Sequence, residues 1–204
     1  MAIAANAKTV LITGTSTGIG SATALHLDQL GYHVIGTVRQ ESDAQNLQEA
    51  ASSKLRTLLL DVTNANSIAH FQKLLEQEVR NSGLWGLVNN AGVSFTSPLE
   101  IVPLDRLRWL FEVNLFGLLA VTQVCLPYLR QQGGRIVNIS STASIVEAPF
   151  HGPYSSAKRG LNALSEALRL EVRPFGIQVS VIICGSVKTP IWETGGENAG
   201  QIWA

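Results

Sequence analysis

The sequence predicts an α/β fold built on a doubly wound parallel sheet, and two observations lead to that prediction. Apolar runs rich in β-branched residues recur along the chain, and most of the stretches between them have helical periodicity. The runs are continuously apolar rather than alternating, which indicates strands that are buried on both faces and are therefore parallel. The six predicted strands are Thr9–Thr13, Tyr32–Val38, Leu55–Leu60, Leu84–Val88, Arg135–Ile139 and Ile177–Ile183.

Length, charge and cysteine content narrow the class of protein. The 204 residues suit one domain, expected over 9–190, and 15 basic residues balance 15 acidic ones, so no net field favours nucleic acid. The two cysteines, Cys125 and Cys184, lack the spacing of a zinc site or a redox pair, and we expect no metal site. The N-terminal extension 1–8 has no signal-peptide pattern, and no apolar run reaches the length of a membrane span. We therefore expect a cytoplasmic protein.

A glycine-rich loop, TGTSTGIG, follows the first predicted strand and opens a helix. Glycine permits a tight turn and a close approach of the backbone to a pyrophosphate, and the helix N-terminus offers N–H groups to the phosphates. The spacing is GxxxGxG rather than GxGxxG, so a structural glycine-rich turn stays an alternative. The residues expected to bind a dinucleotide cofactor here are Gly14, Thr15, Ser16, Thr17, Gly18, Ile19 and Gly20.

The ends of the second and third strands bear on cofactor choice. An acidic residue after the second strand would bind the ribose hydroxyl of NAD, whereas this strand is followed by Arg39, which favours the 2′-phosphate of NADP. We expect NADP(H), with NAD(H) as the alternative; a solvated surface arginine is the other interpretation. Asp61 and Val62 follow the third strand, where Asp61 would bind the adenine amino group or simply cap the strand end.

Tyr154 and Lys158 lie four residues apart at the start of a predicted helix, so their side chains share one face. A tyrosine is a poor acid or base near neutrality, but an adjacent cation stabilises the phenolate and lowers the phenol pKa. Lys158 would supply that cation and would also hold ribose hydroxyls of the cofactor. Such a pair also arises by chance on solvated helices, so other signals are needed.

Two further polar positions join this pair. Ser140 and Ser141 end a buried strand, at the sheet edge where ligands gather in parallel sheets, and either hydroxyl could stabilise charge on a substrate oxygen or form a turn. Asn114 is the one amide in the apolar stripe of a helix predicted over Leu104–Leu129. A buried amide must be hydrogen-bonded. Asn114 would either tie its helix to a neighbour or bind a water that relays protons from Lys158.

With these residues in place, the chain resembles the short-chain dehydrogenase/reductase family, which has a Rossmann-like fold. The resemblance runs from Thr9 to Thr189 and rests on six elements in order: TGTSTGIG, NNAG, Asn114, Ser141, YSSAK and CGSVKTP. The step from Ser141 to Tyr154 also matches the family and selects Ser141 over Ser140. The resemblance implies a catalytic tetrad of Asn114, Ser141, Tyr154 and Lys158, and further cofactor contacts at Asn90, Ala91, Gly92, Gly185, Val187 and Thr189.

The resemblance also implies an alcohol or carbonyl as substrate and a homo-oligomer, a dimer or tetramer, formed through the helices that carry Asn114 and Tyr154. The stretch from Gly83 to Gly92 is similar to members that act on retinol and hydroxysteroids, which weakly favours a lipidic substrate. One departure is visible, because the family's usual Pro-Gly is Cys184-Gly185 here. Loss of the rigid proline φ is expected to weaken cofactor binding without abolishing it.

Family members usually continue with a substrate lid, another helix and a seventh strand, whereas only residues 191–204 follow Pro190 here. We therefore expect the last strand and the lid to be missing, and the sixth strand to be an exposed apolar edge. Three functions are compatible with these features of the sequence. The first is an active oxidoreductase; the alternatives are a nucleotide-binding module with impaired catalysis and a non-catalytic interaction protein.

Overall fold

A parallel six-stranded sheet forms the centre of the molecule in the computed structural model, which describes residues 8–191. The strand order is β3-β2-β1-β4-β5-β6, and every pair of neighbours is parallel. This observation confirms the predicted doubly wound sheet. The strands are β1 (Thr9–Ile12), β2 (His33–Val38), β3 (Leu55–Leu59), β4 (Gly86–Asn89), β5 (Arg135–Ser141) and β6 (Gln178–Cys184).

Six α-helices connect the strands within residues 8–191, with two of them in succession between β4 and β5. Short 3-10 turns at Leu99–Ile101, Thr142–Ser144 and Arg173–Phe175 complete the connections, and residues 1–7 and 192–204 lie outside the described residues. The expected extension 1–8 and tail 191–204 therefore fall almost wholly outside the described part of the chain. The helices are α1 (Gly18–Gln29), α2 (Glu41–Glu49), α3 (Ala65–Val79), α4 (Leu104–Phe111), α5 (Gly117–Gln132) and α6 (Gly152–Val172).

The core has a layer on each face of the sheet. Successive residues of a strand point to opposite faces, so Leu11 belongs to one cluster and Val10 and Ile12 to the other. The Leu11 cluster packs the sheet against α3 and α5, and includes the fully buried Phe71. All four residues of β1 and of β4 are buried, as expected for central parallel strands covered by helices on both sides.

The strand order reverses between β1 and β4, and this reversal places a crevice at the carboxyl ends of the strands. In a doubly wound sheet the loops after the two strands at this point separate to opposite faces, which leaves room for a ligand. The loop after β1 is the glycine-rich loop, and the loop after β4 begins with Asn90. The fold therefore brings two of the sequence motifs to one end of the sheet.

The helix predicted over Leu104–Leu129 is continuous but not uniform. A π-helical turn at Glu112–Phe116 separates α4 from α5 and contains Asn114. Such turns contain one extra residue and frequently mark functional sites. The extra residue rotates α5 relative to α4 about the helix axis. The faces assigned by a regular 3.6-residue period over the whole predicted helix therefore do not hold beyond this turn.

The helical segment Leu104–Gln132 is long and apolar enough to cross a membrane, by length and composition alone. The sequence analysis predicted no segment of that kind. Half of its most apolar window is buried inside the protein, and core helices pass the same test. At the end of the described sheet, β6 leaves Ile182 48% and Ile183 37% exposed, in agreement with the expected apolar edge.

Candidate active site

The glycine-rich loop forms the turn between β1 and α1, and two of its glycines adopt the left-handed backbone conformation. Gly14 has φ +68° and Gly18 has φ +60°, which L side chains rarely adopt. A Cβ on Gly14 would also lie 2.9 Å from the Cα of Ala91. Position 14 therefore requires glycine for two reasons: its positive φ, and the close approach of the loop after β4, which leaves no room for a Cβ.

The loops after β1 and β4 are bonded to each other. The Thr13 hydroxyl oxygen accepts from the main-chain N–H groups of Asn90 and Ala91, each at 3.0 Å. In return, the Asn90 amide donates to the carbonyl oxygens of Thr13 and Gly14, both at 2.9 Å. A Cβ on Gly20 would lie 2.1 Å from Gly14 O and 2.5 Å from Asn90 Nδ2. Gly20 thus makes room for these bonds.

Thr15 was expected to bind the cofactor with the rest of the glycine-rich loop, but it does not line the cavity beside that loop. Its side chain is fully buried, and its hydroxyl donates to Thr37 O at 3.1 Å. A Cβ on Gly36 would lie 2.7 Å from Thr15 Oγ1, so glycine in β2 provides the space for this side chain. Thr15 is directed inward because the loop turns it toward β2. Gly20 likewise does not line the cavity.

A cavity of about 250 Å³ lies along the carboxyl ends of β1, β2, β3 and β4. It brings together most of the predicted cofactor residues, which come from the four loops that follow these strands and from the segment after β6. Trp109 of α4 and Val113 of the π-helical turn also line it, and sequence reasoning missed both because they resemble ordinary core residues of an amphipathic helix. The predicted residues that line it are Gly14, Ser16, Thr17, Gly18, Ile19, Arg39, Asp61, Val62, Asn90, Ala91, Gly92 and Thr189.

Arg39 and Asp61 lie on the wall of this cavity formed by β2 and β3. Arg39 is exposed and takes part in none of the ion pairs found within residues 8–191. Asp61 Oδ1 accepts from the main-chain N–H of Thr63 at 2.9 Å and from its hydroxyl at 2.7 Å. Asp61 therefore caps the strand end with one oxygen while it also faces the cavity, so both interpretations of this residue are compatible with the structure.

A second, smaller cavity of about 80 Å³ adjoins the first and contains three of the four side chains that were predicted to be catalytic. Ser141, Tyr154 and Lys158 line it, and Ile19, Asn90, Gly92 and Thr189 line both cavities. The Ser140 hydroxyl donates to Asn162 Oδ1 at 2.7 Å, whereas Ser141 is hydrogen-bonded to the Tyr154 phenol. The geometry therefore distinguishes the two serines that the residues alone left open.

Burial sets the electrostatics of this cavity. Lys158 is 4% exposed, and burial lowers the pKa of its amine from 10.5 to about 8, with a smaller opposing effect from Cys184. Burial also raises the pKa of the Tyr154 phenol above its ordinary value, and the hydrogen bond from Ser141 lowers it only in part. The expectation that Lys158 would depress the pKa of Tyr154 is therefore not met here, because desolvation of the phenolate outweighs stabilisation by neighbours.

Asn114 lies behind the small cavity rather than in it. Its amide oxygen accepts from Val93 N and its amide nitrogen donates to Val93 O, both at 2.8 Å. The side chain thus ties the π-helical turn to the segment after β4, which is one of the two roles considered from sequence. A Cβ on Gly92 would lie 3.1 Å from Asn114 Oδ1 and 3.7 Å from Lys158 Nζ, so Gly92 keeps the space between them open.

The segment after β6 forms the remaining wall. Cys184 is paired with Ser141 in the register of β5 and β6, and it lines the small cavity together with Gly185, Val187 and Thr189. A Cβ on Gly185 would meet no atom of the described residues within 4 Å. Val187 is 45% exposed. No feature of the sequence gave a reason to place Cys184 at the site, and the structure shows that it lines the same cavity as Tyr154 and Lys158.

A parallel sheet in this strand order, with a glycine-rich loop at the point where the order reverses, is typical of dinucleotide-binding folds. The family model described as short chain dehydrogenase matches residues 8–200. The chain therefore belongs to the short-chain dehydrogenase family, which confirms the resemblance found in the sequence.

Several relatives are named as oxidoreductases. The chain is 39% identical over 199 residues to the uncharacterised oxidoreductase YusZ of Bacillus subtilis (strain 168), covering 95% of this chain and 70% of that protein. It is 41% identical to retinol dehydrogenase 5 of Homo sapiens and 43% identical to 17-beta-hydroxysteroid dehydrogenase type 6 of Rattus norvegicus. Each of these two matches covers 89% of this chain but 57% of the relative, so the chain spans little more than half their length.

Solved structures agree with the fold. A short-chain dehydrogenase from Streptomyces avermitilis superposes with a TM-score of 0.84 at 34% identity, covering 95% of this chain and 70% of that one. An alcohol dehydrogenase from Thermococcus sibiricus, complexed with 5-hydroxy-NADP, gives 0.82 at 28% identity, with coverages of 95% and 81%. An NAD+-bound xylitol dehydrogenase gives 0.81 at 26% identity, with coverages of 90% and 72%. Family neighbours thus include complexes of both nicotinamide cofactor types.

Proposed function

We propose that this protein transfers a hydride between NADP(H) and an alcohol or carbonyl substrate, with Tyr154 as the acid–base group. One observation carries the proposal. The cavity lined by the glycine loop adjoins the small cavity of Ser141, Tyr154 and Lys158, since the two share wall residues from three loops. A dinucleotide held by the glycine loop would therefore extend toward the tyrosine. When bound, the nicotinamide supplies or accepts the hydride.

The side chains of the small cavity have separate roles in this proposal. The Tyr154 phenol donates its proton to a carbonyl oxygen during reduction and recovers it during alcohol oxidation. Its raised pKa keeps the phenol protonated near neutrality, which is the form that reduction requires. The Ser141 hydroxyl donates to the same oxygen and stabilises the charge that develops there. Lys158 binds the ribose hydroxyls of the cofactor, and Asn114 holds the wall at Val93.

Arg39 supports the preference for NADP(H) over NAD(H). It is exposed at the end of β2, at the wall of the larger cavity, where a 2′-phosphate would lie. Ser16 and Thr17 are also exposed and line the same wall, so their hydroxyls can donate to the phosphate beside the guanidinium. Asp61 is the one carboxylate among the described residues that line this cavity, but it follows β3 and caps its own loop.

The substrate is proposed to be an apolar alcohol or carbonyl, as in the relatives named for retinol and hydroxysteroids. Large apolar side chains stand exposed on the segment between Ser141 and Tyr154, at Ile145, Val146 and Phe150. An apolar substrate body covering them would remove this surface from water. Self-association through the helices that carry Asn114 and Tyr154, and a cytoplasmic location, remain predictions.

The test is a turnover assay with and without the phenol hydroxyl. NADPH oxidation should proceed with apolar ketones or aldehydes, and Tyr154→Phe should reduce the rate about 10²- to 10⁴-fold, the usual contribution of a general acid. Tyr128→Phe is the matched control, because Tyr128 lies on α5 away from both cavities. NADPH binding without turnover on any carbonyl would support the nucleotide-binding module instead. Absence of binding to either cofactor would support the interaction protein.

A further inference from the structure

One face of α6 carries a third side chain in line with the proposed catalytic pair. Tyr154, Lys158 and Asn162 are spaced four residues apart, so all three project toward the end of β5. Asn162 lines neither cavity. Its amide group is hydrogen-bonded to Ser140 at the end of β5 and to Ser144 in the turn after β5. Asn162 therefore lies next to the proposed site but outside its cavities.

The last residues of β5 are each tied to this helix face. Lys158 Nζ donates to Ile139 O at 2.9 Å, and Ser140 Oγ donates to Asn162 Oδ1 at 2.7 Å. Asn162 Nδ2 donates to Ser144 Oγ at 2.9 Å, and Ser144 Oγ donates to Ser141 O at 2.6 Å. Asn162 is therefore bonded to the residue before Ser141 directly and to Ser141 through one hydroxyl.

The direction of these bonds requires an amide at position 162. A serine hydroxyl has one proton, and Ser144 gives its proton to Ser141 O. Ser144 must therefore accept from Asn162, while Ser140 must donate to it. An amide satisfies both demands because it carries an acceptor oxygen and donor N–H groups. A carboxylate or an apolar side chain of similar size satisfies at most one.

The same turn is held from a second position on α6. Arg159 donates to Ser144 O at 3.2 Å and to Ile145 O at 3.1 Å, and it pairs with Glu147. Ser141 Oγ in turn accepts from Ala143 N at 3.2 Å. The backbone after β5 is thus fixed to α6 by side chains rather than by a regular secondary structure.

We infer that Asn162 is a positioning residue: acting through Ser144, it holds the Ser141 hydroxyl against the Tyr154 phenol. The inference rests on the proposed function for its kinetic consequence, but the geometry can be tested without turnover. Loss of the amide would leave the turn Thr142–Ser144 held to α6 only by Arg159 and let Ser141 shift relative to the phenol. The fold would persist, because β5 remains paired with β4 and β6.

The experiment uses the full chain labelled with 13C at tyrosine Cζ, which gives three resonances, from Tyr32, Tyr128 and Tyr154. Tyr154→Phe assigns its own resonance, and Ser141→Ala defines the displacement caused by loss of the hydrogen bond to the phenol. Asn162→Leu and Ser144→Ala test the proposal at near-neutral pH. Ser165→Ala is the matched control, because Ser165 accepts from Asn138 Nδ2 at 2.7 Å and so joins the same helix to β5 at a distance from the cavity.

Asn162→Leu and Ser144→Ala should each displace the Tyr154 resonance in the direction of Ser141→Ala, and Ser165→Ala should leave it unchanged. A wild-type Tyr154 resonance in both test variants would overturn the inference, as would an equal displacement in Ser165→Ala or none in Ser141→Ala. If Asn162→Leu does not fold, Ser144→Ala alone decides. Where turnover is present, Asn162→Leu should lower kcat about tenfold or more with a smaller change in KM, as misplacement of a catalytic group does.

Discussion

The amine of Lys158 donates a hydrogen bond to the main-chain carbonyl oxygen of Ile139 over 2.9 Å, in a position that is 4% exposed. Burial lowers the pKa of this amine from 10.5 to about 8. The unfolded chain therefore binds more protons at Lys158 than the folded chain between pH 8 and 10.5. Stability must rise with pH through this window, and below pH 8 the full cost of burying the charge is present.

We predict that the free energy of unfolding of the wild-type protein increases by about 3 kcal/mol from Lys158 alone across that window. Lys158→Met should remove this dependence and flatten the curve. Lys73→Met, at an exposed position of α3, should retain the wild-type slope. Denaturant-induced unfolding of the wild type and of the two variants, monitored by tryptophan fluorescence between pH 8 and 10, measures these slopes. Equal slopes for wild type and Lys158→Met would show that burial does not lower this pKa.

Gly20 gives a prediction about the cofactor loop. Gly20→Ala places a Cβ 2.1 Å from Gly14 O, and backbone cannot move aside without opening the loop. We expect the free energy of unfolding to fall by about 1–3 kcal/mol or more, as at overpacked sites. We also expect a large loss of NADPH affinity. Thermal unfolding and calorimetric titration measure the two effects.

The matched control for Gly20→Ala is Gly86→Ala, whose Cβ would lie 3.5 Å from a Val10 methyl group, an ordinary contact. It should bind NADPH like the wild type. If Gly20→Ala also binds NADPH normally, the loop does not form the phosphate cradle.

Arg39 provides the test of cofactor preference. Arg39→Ala should weaken NADPH binding about 10- to 100-fold, the value of one charge-assisted hydrogen-bonded pair, and should leave NADH binding within about twofold. Arg173→Ala, which removes an exposed arginine remote from both cavities, should change neither affinity. Equal losses for both cofactors would mean that Arg39 does not recognise the 2′-phosphate.

Cys184 and Cys125 differ sharply in access to solvent. Both are free thiols, but Cys125 is fully buried and burial raises its pKa, whereas Cys184 is partly exposed and lines the small cavity. A maleimide should therefore modify one thiol in the folded protein, and mass spectrometry of peptides should find it at Cys184. Modification should abolish turnover, since the adduct fills the cavity beside Tyr154.

Bound NADPH should slow the modification of Cys184 at least tenfold, because the two cavities adjoin. Cys125→Ala should react like the wild type, and Cys184→Ser should not react. Modification at Cys125 at a similar rate would contradict the predicted difference in burial.

The sequence predicted the sheet and its ligand edge because both depend on local patterns. Continuous apolar runs separated by helical periodicity lead to buried parallel strands, and all six predicted strands are present with small differences at their ends. The glycine loop was also readable, because the left-handed φ of Gly14 and Gly18 is a local demand that only glycine meets easily.

Only the tertiary structure decided what each side chain of these motifs contacts. Thr15 lies within the glycine loop, yet its hydroxyl turns inward to Thr37, and Ser140 and Ser141 are adjacent in sequence but bonded to different partners. The roles of Asn162 and Cys184 depend on the packing of α6 and β6 against β5, through contacts that no spacing along the chain records. Periodicity and glycine content thus determined which segments meet at the crevice, because backbone conformation is largely local. The packing of those segments decided burial, and burial set the pKa values of Tyr154 and Lys158, because the energy of a charge depends on everything around it.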